Sequence, residues 1–318
     1  MPVSAADVLI QSAARSRAAQ SRFAHHVLQT PVIPSATVPG LFYKCENFQR
    51  TGSFKIRGAL SKLTALPIDR PVITASSGNH GIACSQAAAF TGHDLTVVLP
   101  ESVARKKLQT IRGYGTKVLL YGADSGLAEA EAQRLAGSGA VYVSPYNDLD
   151  IIAGQGTIGL ELLDQMDCID NVFIAMGGGG LISGVAAALK AARPRVRVIG
   201  VSATASAALA ASMAAGRVVE TEHLDTLADG VAGGVDEGSV TLGMATAAVD
   251  RVLHCTEDEI ASALRQLAWG EHMLVEGAAA LALAGFTQIA DECAGQLSVV
   301  VLCGANFDRA KVMAVLAG

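Results

Sequence analysis

The sequence has few aromatic residues, little charge and no long apolar run. Of its 318 residues, 4% are Phe, Trp or Tyr and 17% are charged, whereas 51% are hydrophobic. Aliphatic side chains must therefore fill the interior, and a chain of this length suggests about two domains or lobes. Even the apolar segment GAAALALAGF falls far short of a transmembrane helix, so we expect no membrane association.

Basic residues are slightly outnumbered and form no cluster. The chain has 24 Lys and Arg against 29 Asp and Glu, which gives a net charge of -5 at pH 7. Without a basic patch the chain gains no attraction to a phosphate backbone. We therefore expect no nucleic-acid partner.

The cysteines are scattered and form neither a CxxC pair nor a zinc-ligand spacing with histidine. They are Cys45, Cys84, Cys168, Cys255, Cys293 and Cys303. Several lie in apolar runs, as is typical of buried thiols in a reducing compartment. The N-terminal segment also lacks the basic start and apolar core of a secretory signal. We expect a soluble cytoplasmic protein.

Apolar runs bounded by turn residues alternate with helical periodicity along most of the chain. The runs PVITAS, DLTVVLP, NVFIAMG, VRVIGVSA and LSVVVLCG are predicted to be buried strands. Continuous apolar strands joined by helices indicate parallel sheets that are covered on both faces. The pattern predicts a doubly wound α/β fold, with the polar stretch PYNDLDIIAGQG around residues 145–155 as a hinge between two lobes.

One lysine lies in an unusually apolar setting within TGSFKIRGAL. Lys55 follows Phe54 and precedes Ile56, so an apolar wall would lower the pKa of its ammonium group and keep the amine nucleophilic. The alternative is a snorkelling lysine near the start of a helix.

The segment MGGGGLISG at residues 176–184 joins a predicted strand to an Ala-rich helix. Its consecutive glycines expose backbone N–H groups at a helix N-terminus, which suits a phosphate dianion. No Lys-Ser/Thr pair follows, so it is not a nucleoside-triphosphate loop, and its spacing misses the dinucleotide pattern GxGxxG. The alternative is a tight turn without a ligand.

Two further loops follow predicted strands. SSGNHG at residues 76–81 combines small hydrogen-bonding side chains with a helix start, which suits a carboxylate, although an ordinary N-cap is equally compatible. In LCGANFD at residues 302–308, Cys303 is placed at a strand end, or is simply a buried structural thiol.

Lysine, phosphate loop and carboxylate loop together point to pyridoxal phosphate. The chain resembles the serine/threonine dehydratase and serine racemase family of fold type II pyridoxal-phosphate enzymes. The resemblance covers about residues 25–308 and is carried by KCENFQRTGSFKIRGA, SSGNHG, AGQGTIGLEL, GGGGLISG, LADGV, TEDEI and VEGAAA. It implies two lobes, each with a mostly parallel sheet flanked by helices. The large cofactor-binding domain would comprise residues 1–65 and 149–318, and the small substrate-loop domain residues 66–148.

The resemblance also implies residue roles. Lys55 forms a Schiff base with pyridoxal 5'-phosphate and then acts as the base at Cα, and Ser77 is a second candidate catalytic group. The expected cofactor contacts are Phe54, Lys55, Asn79, Gly177, Gly178, Gly179, Gly180, Leu181, Gly230, Glu276 and Cys303. The expected substrate contacts are Ser76, Ser77, Asn79 and His80. The segments SPYNDLD and AGGVD (residues 232–236) are expected to shape the substrate pocket.

Two positions refine this expectation. Cys303 would lie opposite the pyridine nitrogen, where a neutral thiol is a weak donor and brings no negative charge, which favours prompt β-elimination. In GVSATASAALA, Ser202 and Ala208 replace the acids of a divalent-cation site found in racemase-like relatives. We therefore expect no magnesium or manganese there.

The resemblance implies an ammonia-lyase (dehydratase) that converts L-threonine, L-serine or a related β-hydroxy amino acid to a 2-oxo acid and ammonia. The alternatives are a serine or other amino-acid racemase, because Ser77 could return a proton from the opposite face, and a dehydratase specific for threo-3-hydroxyaspartate or phenylserine. A non-catalytic binding protein and a dinucleotide-dependent oxidoreductase are the rivals from other classes. A homodimer is the expected assembly.

Overall fold

The computed structural model describes residues 4–318 and contains two β-sheets flanked by helices. Within these residues the strands are β1 (Val32–Pro34), β2 (Leu41–Lys44), β3 (Val72–Ala75), β4 (Leu95–Leu99), β5 (Lys117–Leu120), β6 (Val141–Tyr142), β7 (Asn171–Ala175), β8 (Arg197–Ala203), β9 (Arg251–Cys255) and β10 (Ser298–Val301).

The α-helices of the same residues enclose the two sheets. They are α1 (Ala5–Phe23), α2 (Lys55–Leu63), α3 (Asn79–Thr91), α4 (Arg105–Arg112), α5 (Ser125–Ala136), α6 (Leu149–Gln165), α7 (Gly180–Ala192), α8 (Ala208–Ala215), α9 (Val240–Ala248), α10 (Glu257–Arg265), α11 (Gly277–Gln288) and α12 (Arg309–Ala317). A π-helical turn at Gln266–Gly270 continues α10. None of the described helices is long and apolar enough to cross a membrane.

The larger sheet has six strands in the order β1-β2-β10-β7-β8-β9, and the smaller has four in the order β5-β4-β3-β6. All pairings are parallel except that of the edge strand β1 with β2. The predicted α/β class with mostly parallel sheets is confirmed. Every strand of the smaller sheet lies between Val72 and Tyr142, within the range expected for the small domain, whose exact boundaries stay a prediction.

The stretch around residues 145–155 is not a hinge throughout. The Asp148 side chain accepts hydrogen bonds from the backbone N–H groups of Asp150 and Ile151, and this N-cap starts α6 at Leu149. Ile151 and Ile152 are buried. An N-cap followed by apolar residues is a helix start, so the connection between the sheets is confined to the few residues before Asp148.

Helix α2, which begins with Lys55, packs very closely on α6. A Cβ atom added at Gly58 would collide with the Gln155 side chain, and one added at Gly154 would collide with the Arg57 backbone. The missing side chains therefore let the two helix backbones touch. This crossing fixes the height and direction of α2.

A buried ionic network locks the same crossing. The Arg57 guanidinium donates to both oxygens of Glu46, at 2.8 Å each, and to both oxygens of Glu161, at 2.6 and 2.9 Å. Lys44 Nζ donates to Glu161 Oε2 at 2.6 Å and Thr30 Oγ1 to Glu46 Oε1 at 2.5 Å. Burial opposes ionisation of Glu46, yet the charge of Arg57 outweighs it and lowers the pKa of this carboxyl. Two cations face two anions, so the buried network is balanced.

Removing Arg57 should destabilise the protein strongly. In Arg57→Met two carboxylates remain buried without their main partner, which costs about 3–5 kcal/mol. The measurement is the free energy of unfolding in urea. Lys117→Met is the control, since Lys117 pairs with Asp94 on the surface and such pairs contribute about 0–1 kcal/mol. Equal losses in the two variants would contradict the role given to the network.

Candidate active site

A cavity of about 430 Å³ opens at the carboxyl ends of strands from both sheets. Ligands of open α/β sheets bind at this edge, and the volume suits a small molecule. The cavity is lined by eleven residues that the sequence singled out as cofactor contacts, namely Phe54, Lys55, Asn79, Gly177, Gly178, Gly179, Gly180, Leu181, Gly230, Glu276 and Cys303. The fold thus brings together residues from six separate segments of the chain.

Lys55 projects its amine into this cavity from the first residue of α2. Its Nζ atom donates a 2.9 Å hydrogen bond to Pro145 O and lies 5.2 Å from the centre of the Phe54 ring. Burial lowers the pKa of the ammonium group to about 8, although the nearby Cys84, Cys303 and Glu276 act in the opposite direction. An amine with this pKa is substantially neutral, and therefore nucleophilic and basic, in mildly alkaline solution.

The glycine loop between β7 and α7 forms a concave wall of bare backbone. A Cβ atom would lie 2.7 Å from Val231 O if added at Gly177, and 2.5 Å from Tyr146 Cγ if added at Gly178. Gly179 has φ +90°, a conformation that favours glycine. Thr241 Oγ1 holds the loop by donating a 2.7 Å hydrogen bond to Gly178 O. Because α7 starts at Gly180, free N–H groups and the positive end of the helix dipole meet at this wall.

Backbone bonds tie the segment before Lys55 to the loop after β10. Phe54 N donates to Cys303 O at 3.0 Å, and Ala305 N donates to Gly52 O at 2.8 Å. The Asn306 side chain continues the connection, since its Nδ2 atom donates to Thr51 O at 2.7 Å and to Asn79 Oδ1 at 2.8 Å. The relative position of Lys55 and Cys303 is therefore set by the backbone.

Glu276 lies at the centre of the polar contacts on this side of the cavity. Both of its carboxylate oxygens accept from Asn79 Nδ2 at 3.0 Å, and Oε2 accepts from Asn306 N at 3.2 Å. Burial raises the pKa of this carboxyl to about 7, although the Asn79 hydrogen bond opposes the shift. The Asn79 amide, expected at the cofactor ring, is thus engaged by Glu276 and Asn306.

The Cys303 thiol stays protonated. Its Sγ atom lies 3.8 Å from Glu276 Oε1. Burial, reinforced by the Glu276 charge, raises the pKa of this thiol well above its usual range. The group therefore presents no negative charge to the cavity at neutral pH.

The other expected substrate contacts lie beside the cavity rather than in its wall. Ser76 and Ser77 are half-buried in the loop before α3. His80 is turned into the interior, where Nε2 lies 3.0 Å from Val143 O and Cys84 Sγ lies 3.5 Å from the ring. Burial lowers the pKa of His80 to about 3, so its ring is neutral. Their contact with substrate stays a prediction.

Two residues occupy the positions that correspond to the cation-binding acids of racemase-like relatives. Ser202 lies on β8, where its hydroxyl donates to Met176 O at 3.4 Å, and Ala208 starts α8.

Several lining residues come from segments expected to shape the substrate pocket, whereas Glu129 lies outside every motif that the sequence singled out. Pro145, Tyr146 and residues 232–236 belong to the expected segments. Glu129 on α5 also lines the cavity and was missed. It belongs to the charged segment SGLAEAEAQRLA, whose pattern predicts a helix with its acidic residues on the solvent-exposed face.

Comparison with known proteins agrees with this geometry. Residues 23–304 match the family model described as pyridoxal-phosphate dependent enzyme. The L-threonine ammonia-lyase of Geobacter sulfurreducens is 38% identical over 307 residues, which cover 95% of this chain and 74% of that protein. Among solved structures, the processed form of threonine deaminase isoform 2 from Solanum lycopersicum has a TM-score of 0.91 and 31% identity, covering 98% of this chain and 94% of that one. Maize serine racemase has a TM-score of 0.88 and 31% identity, with 96% of each chain covered.

The chain belongs to the pyridoxal-phosphate dependent enzyme family, and its resemblance to fold type II members is confirmed. Its residues fit the cofactor. The side-chain-free wall at Gly177–Gly180 has room and free amides for a phosphate, and Lys55 offers a desolvated amine in the same cavity.

The raised pKa of Glu276 predicts a pH dependence of stability in the cofactor-free protein. The folded carboxyl has a pKa of about 7 against an ordinary value of 4.5. Between these values the unfolded chain has released the proton and the folded protein retains it, so stability falls as pH rises. Relative to Glu276→Gln, the wild type should lose about 3 kcal/mol of unfolding free energy across this window.

Glu271→Gln is the matched control with the opposite sign. Burial opposes ionisation of Glu271, but hydrogen bonds from Ser35, Ala36 and Thr37 prevail and lower the pKa of its carboxyl. Relative to this variant, the wild type should gain stability as pH rises through the acid range. Urea titrations at several pH values provide both comparisons, and parallel profiles for the two variants would refute the assignment.

Gly178→Ala should weaken retention of the cofactor. The added methyl group would overlap the Tyr146 ring, and overpacking of this kind costs about 1–3 kcal/mol, or roughly tenfold or more in affinity. Equilibrium dialysis against pyridoxal phosphate measures the loss. Gly243→Ala on α9 is the control, because a Cβ atom there has no neighbour within 4 Å. Equal retention by both variants would argue against the glycine wall as the phosphate site.

Proposed function

We propose that this enzyme is a dehydratase (ammonia-lyase) that converts L-threonine, L-serine or a related β-hydroxy amino acid to a 2-oxo acid and ammonia. The observation that carries the proposal is the Lys55 amine, whose pKa burial lowers to about 8, in a cavity shared with the glycine wall and a neutral thiol. The similarity to L-threonine ammonia-lyase supports the choice of reaction.

Different residues would bind the cofactor and the substrate. The glycine wall would hold the cofactor phosphate, Phe54 would contact the ring, and Lys55 would hold the aldehyde end. The loop at Ser76 and Ser77, with the start of α3, would receive the substrate carboxylate. When bound, the cofactor supplies an electron sink that stabilises negative charge at Cα.

Lys55 would then act as the base. Once the substrate amine takes its place, Nζ is free to accept the Cα proton, and a basic amine with a pKa near the working pH is suited to this transfer. The electron pair released at Cα would expel the β-hydroxyl group, which would take up the proton held on Nζ and leave as water. The released enamine tautomerises to an imine, and hydrolysis of the imine regains one water and yields the 2-oxo acid and ammonia.

The neutral thiol of Cys303 favours elimination over slower fates of the carbanion. A carboxylate opposite the ring nitrogen would hold a proton there and spread the negative charge into the ring. The protonated thiol is a weak donor without charge, so charge remains near Cα, where loss of the β-hydroxyl removes it.

Racemisation of serine or another amino acid is the second candidate. It is favoured by Ser77, which lies beside the cavity in the loop before α3. Its hydroxyl could return a proton from the face opposite Lys55. Similarity to maize serine racemase supports the same possibility.

Cytoplasmic location and homodimeric assembly are further parts of the proposal. All six cysteines are free thiols and five are buried, as suits a reducing compartment. Trp269 and Leu274 are 66% and 55% exposed next to the π-helical turn, and exposed apolar side chains of this size are typical of an interface. Sedimentation velocity and cell fractionation would test the two statements.

A panel of L- and D-β-hydroxy amino acids tests the function directly. The purified holoenzyme should release 2-oxo acid from L-serine, L-threonine or L-phenylserine, and Lys55→Ala should lose the visible absorbance of the bound cofactor and at least about a thousandfold in turnover. Lys62→Ala is the control on the same helix, since Lys62 pairs with Asp148 and does not line the cavity.

Assay of 2-oxo acid and enantiomer in the same samples separates the two candidates. Release of 2-oxo acid without inversion supports the dehydratase alone, and inversion that outpaces release would replace it by the racemase. Undiminished turnover in Lys55→Ala would refute both.

A further inference from the structure

Two carboxylates line the cavity in addition to Glu276. Glu129 lies on α5, beside the smaller sheet, and Asp236 lies in the segment before α9. The cavity itself defines the ligand site, and both acids belong to its wall. Together with Glu276 they make three acids, whereas Lys55 is the one cation among the described lining residues.

Neither carboxylate is neutralised by a cation. Glu129 Oε1 accepts from Tyr142 Oη at 2.7 Å, and Asp236 Oδ2 accepts from Asn147 Nδ2 at 3.2 Å. In the described part of the chain no Lys, Arg or His lies within ion-pair distance of either one. Both are half-buried, so solvent screens them less than charges on an open surface.

The two acids act on the same small region. Burial raises the pKa of Tyr142, and the charges of both Glu129 and Asp236 add to the shift. Tyr146, whose hydroxyl accepts from Asp236 N at 2.8 Å, is affected in the same way by burial and by both charges. The negative electrostatic potential of both carboxylates therefore acts on the part of the cavity wall that contains Tyr146.

The backbone beside Asp236 leaves this wall open. Gly233 and Gly234 line the cavity, and a Cβ atom added at Gly233 would meet nothing within 4 Å. At Gly234 the nearest atom would be His223 Nε2 at 3.9 Å. The backbone at Gly233 and Gly234 therefore carries no side chain that would fill the space beside Asp236.

The proposed function leaves this wall for the side chain of the substrate. The cofactor would lie between Lys55 and the glycine wall, and the substrate carboxylate is assigned to the loop at Ser76 and Ser77. The β-substituent would then face lining residues that neither group occupies, and Glu129 and Asp236 are among these residues.

Resting on that proposed function, we infer that Glu129 and Asp236 set the substrate class by charge. They select β-hydroxy amino acids whose side chain is neutral or ends in an ammonium group, and they reject those with a second carboxylate. An ammonium group would gain two uncompensated carboxylates as partners, whereas a carboxylate would be repelled by both in a partly desolvated cavity. The inference therefore opposes threo-3-hydroxyaspartate as the substrate.

Binding of unreactive amino acids to the holoenzyme tests the inference without turnover. L-2,4-Diaminobutyrate, L-2-aminobutyrate and L-aspartate have side chains that are cationic, neutral and anionic, and all lack a β-hydroxyl group. Titration followed by the visible absorbance of the cofactor gives an apparent Kd for each. We expect diaminobutyrate to bind at least about tenfold more tightly than aspartate, with a smaller ratio at high salt.

Isosteric variants assign the effect to the two residues. Glu129→Gln and Asp236→Asn should each reduce the ratio of the aspartate Kd to the diaminobutyrate Kd about three- to fivefold, with little change for aminobutyrate. Glu131→Gln is the matched control, because Glu131 is on the same helix but pairs with Arg134 outside the cavity. It should leave the ratio unchanged.

The outcomes separate this inference from the proposed function. Aspartate binding as tight as that of diaminobutyrate, or a ratio that both isosteric variants leave unchanged, would overturn the inference even if L-threonine yields 2-oxo acid. The expected ratio with no 2-oxo acid from any β-hydroxy amino acid would support the inference and refute the dehydratase. No spectral change with any of the three ligands would overturn both.

Discussion

The contact between helices α2 and α6 determines where the chemistry of this protein takes place. Gly58 and Gly154 allow the two backbones to touch. Arg57, on the same helix as Lys55, binds carboxylates that belong to two other segments of the chain. Replacing such a network by apolar side chains can be neutral or even stabilising in other proteins, so its stability contribution alone does not explain its presence. A bidentate guanidinium has one acceptable orientation. The network therefore specifies the rotation and height of α2, and with them the position of the amine.

Burial is the main cause of the altered protonation of the ionisable side chains in the cavity. The same desolvation that lowers the pKa of the Lys55 ammonium group, and so leaves more of the amine neutral, keeps the Cys303 thiol protonated and makes Glu276 a weaker acid. These shifts have different consequences. The amine can take up a proton near neutral pH, while the thiol brings no negative charge to the cavity. In the proposed reaction the neutral thiol would favour elimination, and the carboxylates without a cationic partner would select the substrate.

The sequence predicted the parts of the site that follow apolar strands, because strand ends in parallel sheets converge. The glycine wall and Cys303 belong to this group, whereas Lys55 is indicated by its apolar neighbours in the sequence. The orientation of His80 could not be predicted from the loop alone: a helix turns by about 100° per residue, so this side chain faces the core beside Cys84 although its neighbour Asn79 lines the cavity. Strand β9 was missed because its RVLHC sequence alternates between exposed and buried positions. Glu129 and the partners of Arg57 depend on contacts between residues far apart in the chain, which no local pattern encodes.

The hydrogen bond from Lys55 to the Pro145 carbonyl joins parts of the chain that belong to different sheets. Pro145 follows β6 of the smaller sheet, whereas the segment before Lys55 is tied through Phe54 and Gly52 to the loop after β10 of the larger sheet. A rotation of one sheet against the other would therefore move this carbonyl relative to the amine. The direction of the amine is thus coupled to the relative position of the two sheets.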